Sequence, residues 1–156
     1  IIQLESLIEL LKEKLEEVGE SPQIKIRNQF ADAHLHIEIK KGVGSLFQNG
    51  HYSNSIEDAC KILEAFVKMR SGKFELSGTE LMQNVFSPKN PILKFNDLKN
   101  DSDISEQQGM MFLYSGAMLA LRNPRAHGII EDEAESALDI LIILSFLLNA
   151  LDKTKK

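Results

Sequence analysis

Four residues in the segment RNPRAH (122–127) have side chains that can handle phosphate chemistry. Arg122 and Arg125 carry permanent charge in a planar fork of donors that suits a phosphate. Histidine, present here as His127, can act as a general acid or base, and Asn123 can hydrogen-bond a neighbour or a ligand. This pattern fits either a catalytic site or a set of polar caps on a helix end, and spacing alone favours the caps.

Pro124 predicts that the preceding helix ends before this segment. Proline lacks an N–H and clashes with the previous turn, and the residue before it is biased to an extended backbone. We therefore expect a helix over about 104–121 that stops at Pro124, followed by an extended Asn123. Such a break would let Arg122 and His127 converge across a turn.

The whole chain has the composition of one ordinary globular domain. Its 156 residues are 43% hydrophobic and 26% charged, which is enough for a sizeable core and argues against wholesale disorder. The formal net charge of −5 argues against a broad surface that coats nucleic acid, although a small basic cleft remains compatible with it.

The single cysteine, Cys60, excludes an internal disulfide and favours a reducing, cytoplasmic setting. Its neighbours place it on the apolar face of a helix, where it fills the core. No signal segment opens the chain, and the apolar run at 140–148 is too short to span a membrane. We expect a soluble protein with no membrane partner, and a chain that starts with Ile1 is expected to be part of a longer one.

The apolar spacing predicts an all-α, compact bundle of four to five helices. Residues 1–22 are expected to form an N-terminal helix and linker, and residues 23–156 the main domain. The short alternating stretch QIKIRNQ is compatible with an extended link. Helices are expected over about 4–18, 31–47, 54–70 (with an Asn54–Glu57 capping box), 79–86, 104–121 and 132–152.

The last of these helices is apolar around most of its circumference between Ile140 and Leu148. Such a helix is either central to its bundle or covered by a partner chain. In a bundle this small we expect a partner chain, and so a homodimer.

The sequence predicts neither a metal site nor a cofactor. His34 and His36 are two residues apart, so on a helix they point away from each other, and no HExxH motif or cysteine pair is present. The glycines of KKGVGSLF lack the ending of a phosphate loop, and no serine has the context of a nucleophile elbow.

Longer blocks around these residues resemble a known family, the Ymh family of bacterial proteins of unknown function. The blocks are LFQNGHYSNSIEDACKILEAFVK (46–68), ELMQNVFSPKNPILKFNDL (80–98) and EQQGMMFLYSGAMLALRNPRAH (106–127). With LHIEI and the C-terminal ALDILIILSFLLNALD, the resemblance covers about 31–152. The Ymh family in turn resembles the HEPN superfamily, whose hallmark R-x4-6-H has a polar residue directly after the arginine. Arg122, Asn123 and His127 match that motif.

The resemblance implies a HEPN-like bundle that dimerises and brings two such motifs to one cleft between subunits. It implies a metal-independent endoribonuclease with RNA as substrate, in a toxin–antitoxin or antiphage defence setting, and it allows an antitoxin protein as a partner. Arg122 would then neutralise the scissile phosphate as negative charge grows, and His127 would act as general acid or base. Asn123 would orient the pair or the phosphate.

Three further residues are candidates for substrate binding: Arg125, His51 and Tyr52. Arg125 would lie near the same cleft, although an ion pair with the acidic residues at 131–133 is the simpler interpretation. His51 and Tyr52 belong to the family's GHY motif, which also reads as a turn before a helix.

The acidic surroundings of the motif argue against an efficient nuclease. Eight acidic residues lie between Asp101 and Asp139, against two arginines. An RNA would be repelled unless basic residues elsewhere line its approach, and the candidates are Lys25, Arg27, Lys40, Lys41, Lys68 and Arg70. The alternative is a non-catalytic HEPN-like module that dimerises or binds a nucleotide or a partner, while DNA binding is disfavoured by the net charge.

Overall fold

The computed structural model describes residues 2–156, and these residues divide into two compact units. The first unit ends at Ala33, and the second comprises His34–Lys156. The boundary predicted after residue 22 falls at the start of the second helix of the first unit. The secondary structure is helical, as predicted, and no strand is present among the described residues.

The first unit contains two helices, α1 (Ile2–Val18) and α2 (Pro22–Asp32). Ser21 caps α2 by accepting a hydrogen bond from the N–H of Ile24, and Pro22 occupies a first-turn position where its missing N–H costs nothing. The stretch QIKIRNQ, which was compatible with an extended link, is instead helical, because this cap starts a helix through the same residues.

The second unit is built around α4 (Tyr52–Ser71), which packs against α3 (Ile37–Gln48) and α8 (Ala134–Asp152). Gly42 lets α3 approach α4 closely, since a Cβ there would collide with the end of the Ile62 side chain. The side chains expected on the inner face of α4 are all buried: Ile56, Ala59, Cys60, Leu63 and Val67. This central helix therefore positions both the core and the residues described below.

A short helix, α5 (Gly78–Phe86), packs on α6 (Asp101–Gly116), and the irregular segment between them is held by one buried side chain. The Gln107 amide oxygen accepts from the N–H of Phe95 at 3.0 Å. Its amide nitrogen donates to the carbonyls of Phe86 and Leu93, each at 3.0 Å. Three backbone groups that would otherwise be buried without partners are thus satisfied by one residue.

The helix that carries the RNPRAH segment does not end at Pro124, so that prediction is wrong. After α6 the chain continues as a π-helical segment (Ala117–Arg122) and then as α7 (Asn123–His127). The N–H of Asn123 donates to Met118, five residues back, and its φ of −60° and ψ of −43° are helical rather than extended. A wider π turn immediately before proline relieves the clash that an α turn would impose.

The number of helices also exceeds the prediction of four to five. The described chain has eight α-helices, of which α6 and α7 form one continuous rod through the π segment. The predicted helix over 31–47 begins only at Ile37, and the Asn54–Glu57 capping box does not form because α4 starts earlier, at Tyr52.

One side of α8 forms part of the core, and the other is apolar but exposed. Leu141, Leu144 and Leu148 are fully buried, whereas Ile142, Ile143 and Phe146 are about half exposed. Among the described residues, α8 is the one helix with the length and composition of a membrane span, and 44% of that stretch is buried within the fold.

Replacing Gln107 with leucine should destabilise the second unit by about 3 kcal/mol, since three buried backbone groups lose their partners. Urea unfolding measures the loss. The matched control is Gln108→Leu on the exposed neighbour, which should stay within about 0.5 kcal/mol of wild type. Equal effects of the two substitutions would contradict the role assigned to Gln107.

Candidate functional site

Arg122 lies at the end of the π segment, beside α4 and the start of α5. One guanidinium nitrogen, Nη2, is 3.9 Å from the Glu64 carboxylate, longer than a charge-assisted hydrogen bond. The other, Nη1, lies 3.7 Å from where a side chain on Gly78 would begin. The Nε group is buried and has no hydrogen-bond partner among the described residues. The guanidinium of Arg122 is therefore held in place but poorly satisfied by the chain itself.

Glu64 is the buried carboxylate that faces Arg122, and it is already occupied by other donors. Its Oε1 atom accepts from the Gly78 N–H at 3.2 Å and pairs with Lys68 Nζ at 3.1 Å. Two cations, Arg122 and Lys68, thus share one carboxylate, which leaves a local excess of positive charge. Such an excess favours an anion, and a phosphate is one with matching geometry.

Arg125 differs from Arg122, because neighbouring groups of the fold accept hydrogen bonds from all three nitrogens of its guanidinium. Its Nε donates to Asp132 Oδ2 at 2.8 Å, Nη2 donates to Asp132 Oδ1, and Nη1 donates to the Leu121 carbonyl at 2.8 Å. Both side chains of the pair are only 9% exposed. The ion pair expected with the acidic residues at 131–133 is confirmed, and its partner is Asp132.

Ser53 extends this pair into a latch between α4 and the segment that follows α7. The Ser53 hydroxyl donates to Asp132 Oδ2 at 2.7 Å and accepts from the Asp132 N–H at 2.9 Å. The hydrogen bonds from Arg125, followed by that from Ser53, hold the pKa of Asp132 below its ordinary value of 3.8. The Arg125–Asp132–Ser53 latch thus fixes the backbone on both sides of His127.

His127 is exposed at the C-terminal end of α7, and its ring makes no hydrogen bond to the described residues. Asn123 is half-buried one turn earlier, also without a side-chain hydrogen bond in the described part of the chain. Helical residues five apart are separated by about 140° around the axis. The structure therefore does not bring Arg122 and His127 together within one chain.

His51 and Tyr52 lie elsewhere, at the start of α4 next to the latch. His51 is exposed, and Tyr52 packs edge-to-face on Phe47 with ring centres 5.0 Å apart. Both line a cavity of about 360 Å³ that also includes Ser53 and Asp132. The cavity thus links them to the RNPRAH segment only through Asp132, which is the ion-pair partner of Arg125.

Cys60 takes no part in chemistry. It is fully buried, and burial raises the pKa of its thiol to about 12, so the nucleophilic thiolate is not formed near neutral pH. Its assignment to the core is confirmed. No cluster of three or more metal-ligating side chains occurs among residues 2–156.

Glu64 was not among the residues predicted for the site, although its position in the sequence carries a signal. Glu64 follows Leu63 and falls on the same helical face as Cys60 and Val67, the face that packs into the core. A carboxylate on a core-facing position is rarely buried without a partner, so its presence there points to a buried cation.

Replacing Asp132 with asparagine should cost about 2–3 kcal/mol at neutral pH, because Arg125 loses its buried counter-charge. Since the pKa of Asp132 is lowered in the fold, its stabilising contribution is complete above the ordinary Asp pKa and is lost as pH falls through the folded value. The difference in unfolding free energy between wild type and Asp132→Asn should therefore shrink below about pH 4. Urea titrations from pH 7 to pH 3 measure it, and a difference that does not change with pH would refute the assignment.

Comparison with known proteins places this arrangement in a family. The family model described as "Protein of unknown function (Hypoth_ymh)" matches residues 33–151, which include every candidate site residue. No curated protein and no solved structure matches the chain. The resemblance seen in the sequence over about 31–152 is thereby confirmed: the chain belongs to the Ymh family.

Proposed function

We propose that the chain is a homodimeric, metal-independent endoribonuclease of the HEPN type, acting in the cytoplasm in a toxin–antitoxin or antiphage defence system. The observation that carries this proposal is the contrast between the two arginines of the RNPRAH segment. The guanidinium of Arg125 is hydrogen-bonded within the fold. Arg122, in contrast, has a buried Nε without a hydrogen-bond partner among residues 2–156, and the carboxylate that faces it, Glu64, is 3.9 Å away. A permanent cation left unsatisfied in this way is suited to a ligand phosphate.

The proposed reaction assigns one step to each side chain. Arg122 stabilises the charge that builds on the phosphate oxygens as the 2′-hydroxyl attacks. His127 accepts the proton of that hydroxyl or donates a proton to the departing 5′ oxygen, and its exposure leaves it accessible to RNA. The products are a 2′,3′-cyclic phosphate and a 5′-hydroxyl, with no metal required. Asn123, in the turn between them, orients the phosphate.

A dimer supplies the contact that one chain lacks. Because Arg122 faces α4 while His127 is exposed, the proposal pairs Arg122 of one copy with His127 of the other. An apolar surface on α6, the π segment and α8 is available for this association. We call it the outer apolar surface, and its members are Phe112, Leu113, Leu119, Ile142, Ile143 and Phe146, between 47% and 58% exposed.

The two main helices of this surface are neighbours. The Tyr114 hydroxyl of α6 donates to the Leu147 carbonyl of α8, and Met110 and Phe146 line one cavity of about 430 Å³. Exposed apolar side chains therefore occur on both of the helices that meet at this contact. Exposed apolar side chains of this kind are typical of a protein interface, which the apolar last helix was expected to form.

The acidic balance of the chain restricts how RNA can approach. Lys68 is close enough to Arg122 to share Glu64 with it, so it adds positive charge to the proposed phosphate site. Arg70, another candidate for the approach, instead binds the end of α8 through Thr154 and the Asp152 carbonyl. The proposed RNA path therefore runs past Lys68 rather than Arg70.

A second function is favoured because Arg122 and His127 of one chain lie on different sides of the same helical rod. If the dimer does not join them, Arg122 and Lys68 still form a phosphate-binding site without a general acid. The chain would then be a non-catalytic module that binds a nucleotide or a partner, and the cavity beside His51 and Tyr52 would serve as an additional contact. The two functions can be separated by removing His127, which the ribonuclease requires for cleavage and the binding module does not require.

Cleavage of a mixed-sequence RNA pool in EDTA should fall at least about 100-fold in both Arg122→Ala and His127→Ala, because each removes one component of transition-state stabilisation. An equimolar mixture of the two variants should recover roughly a quarter of wild-type activity. Half of the dimers then contain both variants, and each of these has one complete site out of two. Product analysis should show 2′,3′-cyclic phosphate ends.

The control is His34→Ala, which removes an exposed histidine in another part of the second unit and should cleave like wild type. Equal residual cleavage in wild type and both variants would reject the enzyme. Full loss in the single variants with no recovery in the mixture, despite a dimer in sedimentation equilibrium, would reject the site shared between copies.

A further inference from the structure

The apolar side of α1 is uncovered within its own unit. Every residue from Gln3 to Val18 is exposed, so none of these α1 side chains belongs to a buried core. An isolated helix of 17 residues is marginal in water, and helices in proteins are stabilised mainly by packing of an apolar face. The uncovered apolar side chains are Leu4, Leu7, Ile8, Leu10, Leu11, Leu15 and Val18.

Five of these side chains follow the spacing of a coiled coil. Leu4, Ile8, Leu11, Leu15 and Val18 are separated by four, three, four and three residues, and Ile1 continues the series in the sequence. This alternation is the a/d pattern of a coiled coil. It places the apolar side chains along one line, where each can insert into a hole formed by side chains of a second helix. We call these five residues the α1 seam, with Ile8 and Leu15 at a positions.

Charged residues beside the α1 seam indicate what covers it. Glu5 and Lys12 both occupy the e position of the heptad. In an antiparallel pair of identical helices, e positions face e positions, so Glu5 of each copy lies beside Lys12 of the other. In a parallel pair, Lys12 would face the apolar g residue Leu7, and no opposite charges would meet. The charge pattern is therefore complementary to a second, antiparallel copy of α1.

The charge on the rest of α1 disfavours other occupants. The helix carries five glutamates and two lysines, a net charge of −3. Amphipathic helices that bind anionic membrane surfaces carry lysine and arginine on the polar face, and RNA likewise requires positive charge. A second copy of α1 does not require positive charge on the helix.

We propose that α1 pairs with α1 of a second copy as an antiparallel two-helix coiled coil. This interface is separate from the RNPRAH segment and from the outer apolar surface, and it does not depend on ribonuclease activity. Leu15 of one copy packs on Leu4 of the other, and Ile8 packs on Leu11. The pair covers the apolar face of α1, which its own unit leaves exposed.

Cysteine cross-linking of the full chain tests this arrangement directly, since the native Cys60 is buried and does not compete. Leu4→Cys and Leu15→Cys are oxidised separately and as an equimolar mixture. The mixture should give a disulfide-linked dimer, whereas Leu4→Cys alone should not, because two Leu4 positions lie roughly 16 Å apart along an antiparallel pair. Mixing Leu10→Cys with Leu15→Cys is the control outside the seam and should not cross-link.

A matched pair of charge substitutions provides the second measurement. Leu10 and Leu11 are adjacent and are 50% and 52% exposed, yet only Leu11 lies in the α1 seam. Leu11→Asp should weaken self-association in sedimentation equilibrium by at least about tenfold more than Leu10→Asp, because it buries a charge in the pair.

Three outcomes would overturn the proposal: no disulfide in the Leu4→Cys and Leu15→Cys mixture, a disulfide in Leu4→Cys alone, or equal weakening by the two aspartate substitutions. Cross-linking in a protein that does not cleave RNA would support the coiled coil and reject only the ribonuclease.

Discussion

The missing N–H of Pro124 is the constraint on which the candidate site depends. An α-helix cannot pass through a proline without losing a hydrogen bond and crowding the preceding turn. Here the helix continues because the six residues before Asn123 adopt π geometry, and the rod ends only at Gly128. A Cβ at Gly128 would lie 2.9 Å from the Pro124 carbonyl, so the residue that ends the rod packs tightly on its last turn. Single-turn π insertions are frequent at functional sites, and this one ends at Arg122, the first residue of the RNPRAH segment.

Two of the polar residues in the RNPRAH segment have different roles: Arg125 stabilises the fold, and Arg122 is proposed to bind the phosphate. Arg125 lies where it reaches Leu121 and Asp132, and through Ser53 it ties the following loop to α4. Arg122 lies where it meets a carboxylate already used by Lys68 and by the Gly78 N–H. Only the first arrangement satisfies its arginine, so two identical residue types three positions apart have different roles. The roles of Arg122 and Arg125 are thus distinguished by the groups that each guanidinium contacts, and not by their positions in the sequence motif.

The spacing of apolar residues was sufficient to predict α4 and α8, because their buried faces repeat over many turns. It failed at α2, where only Ile26 and Phe30 are buried and a polar, alternating stretch resembles a strand. It failed again at Pro124, because the local rule for proline does not include a π turn that removes the conflict. Gln107 could not be assigned a role, since its partners are backbone groups of the irregular segment and the end of α5. The burial of Glu64 could be inferred from its helical face, but its partner Arg122 is distant in sequence. The ion pair of Arg125 was predictable because its acidic partners lie only one loop away.

Arg122 is proposed to serve a ligand and Arg125 to serve the fold, and the stability of the matching alanine variants measures that difference without any knowledge of the RNA. Arg125→Ala leaves the nearly buried Asp132 carboxylate without its cation, whereas Arg122→Ala leaves Glu64 with Lys68 and Gly78 as partners. Urea unfolding at pH 7 should show Arg125→Ala destabilised by about 2–4 kcal/mol and Arg122→Ala by less than about 1 kcal/mol. If Arg122→Ala is destabilised as much as Arg125→Ala, Arg122 belongs to the fold and the account of the site is wrong.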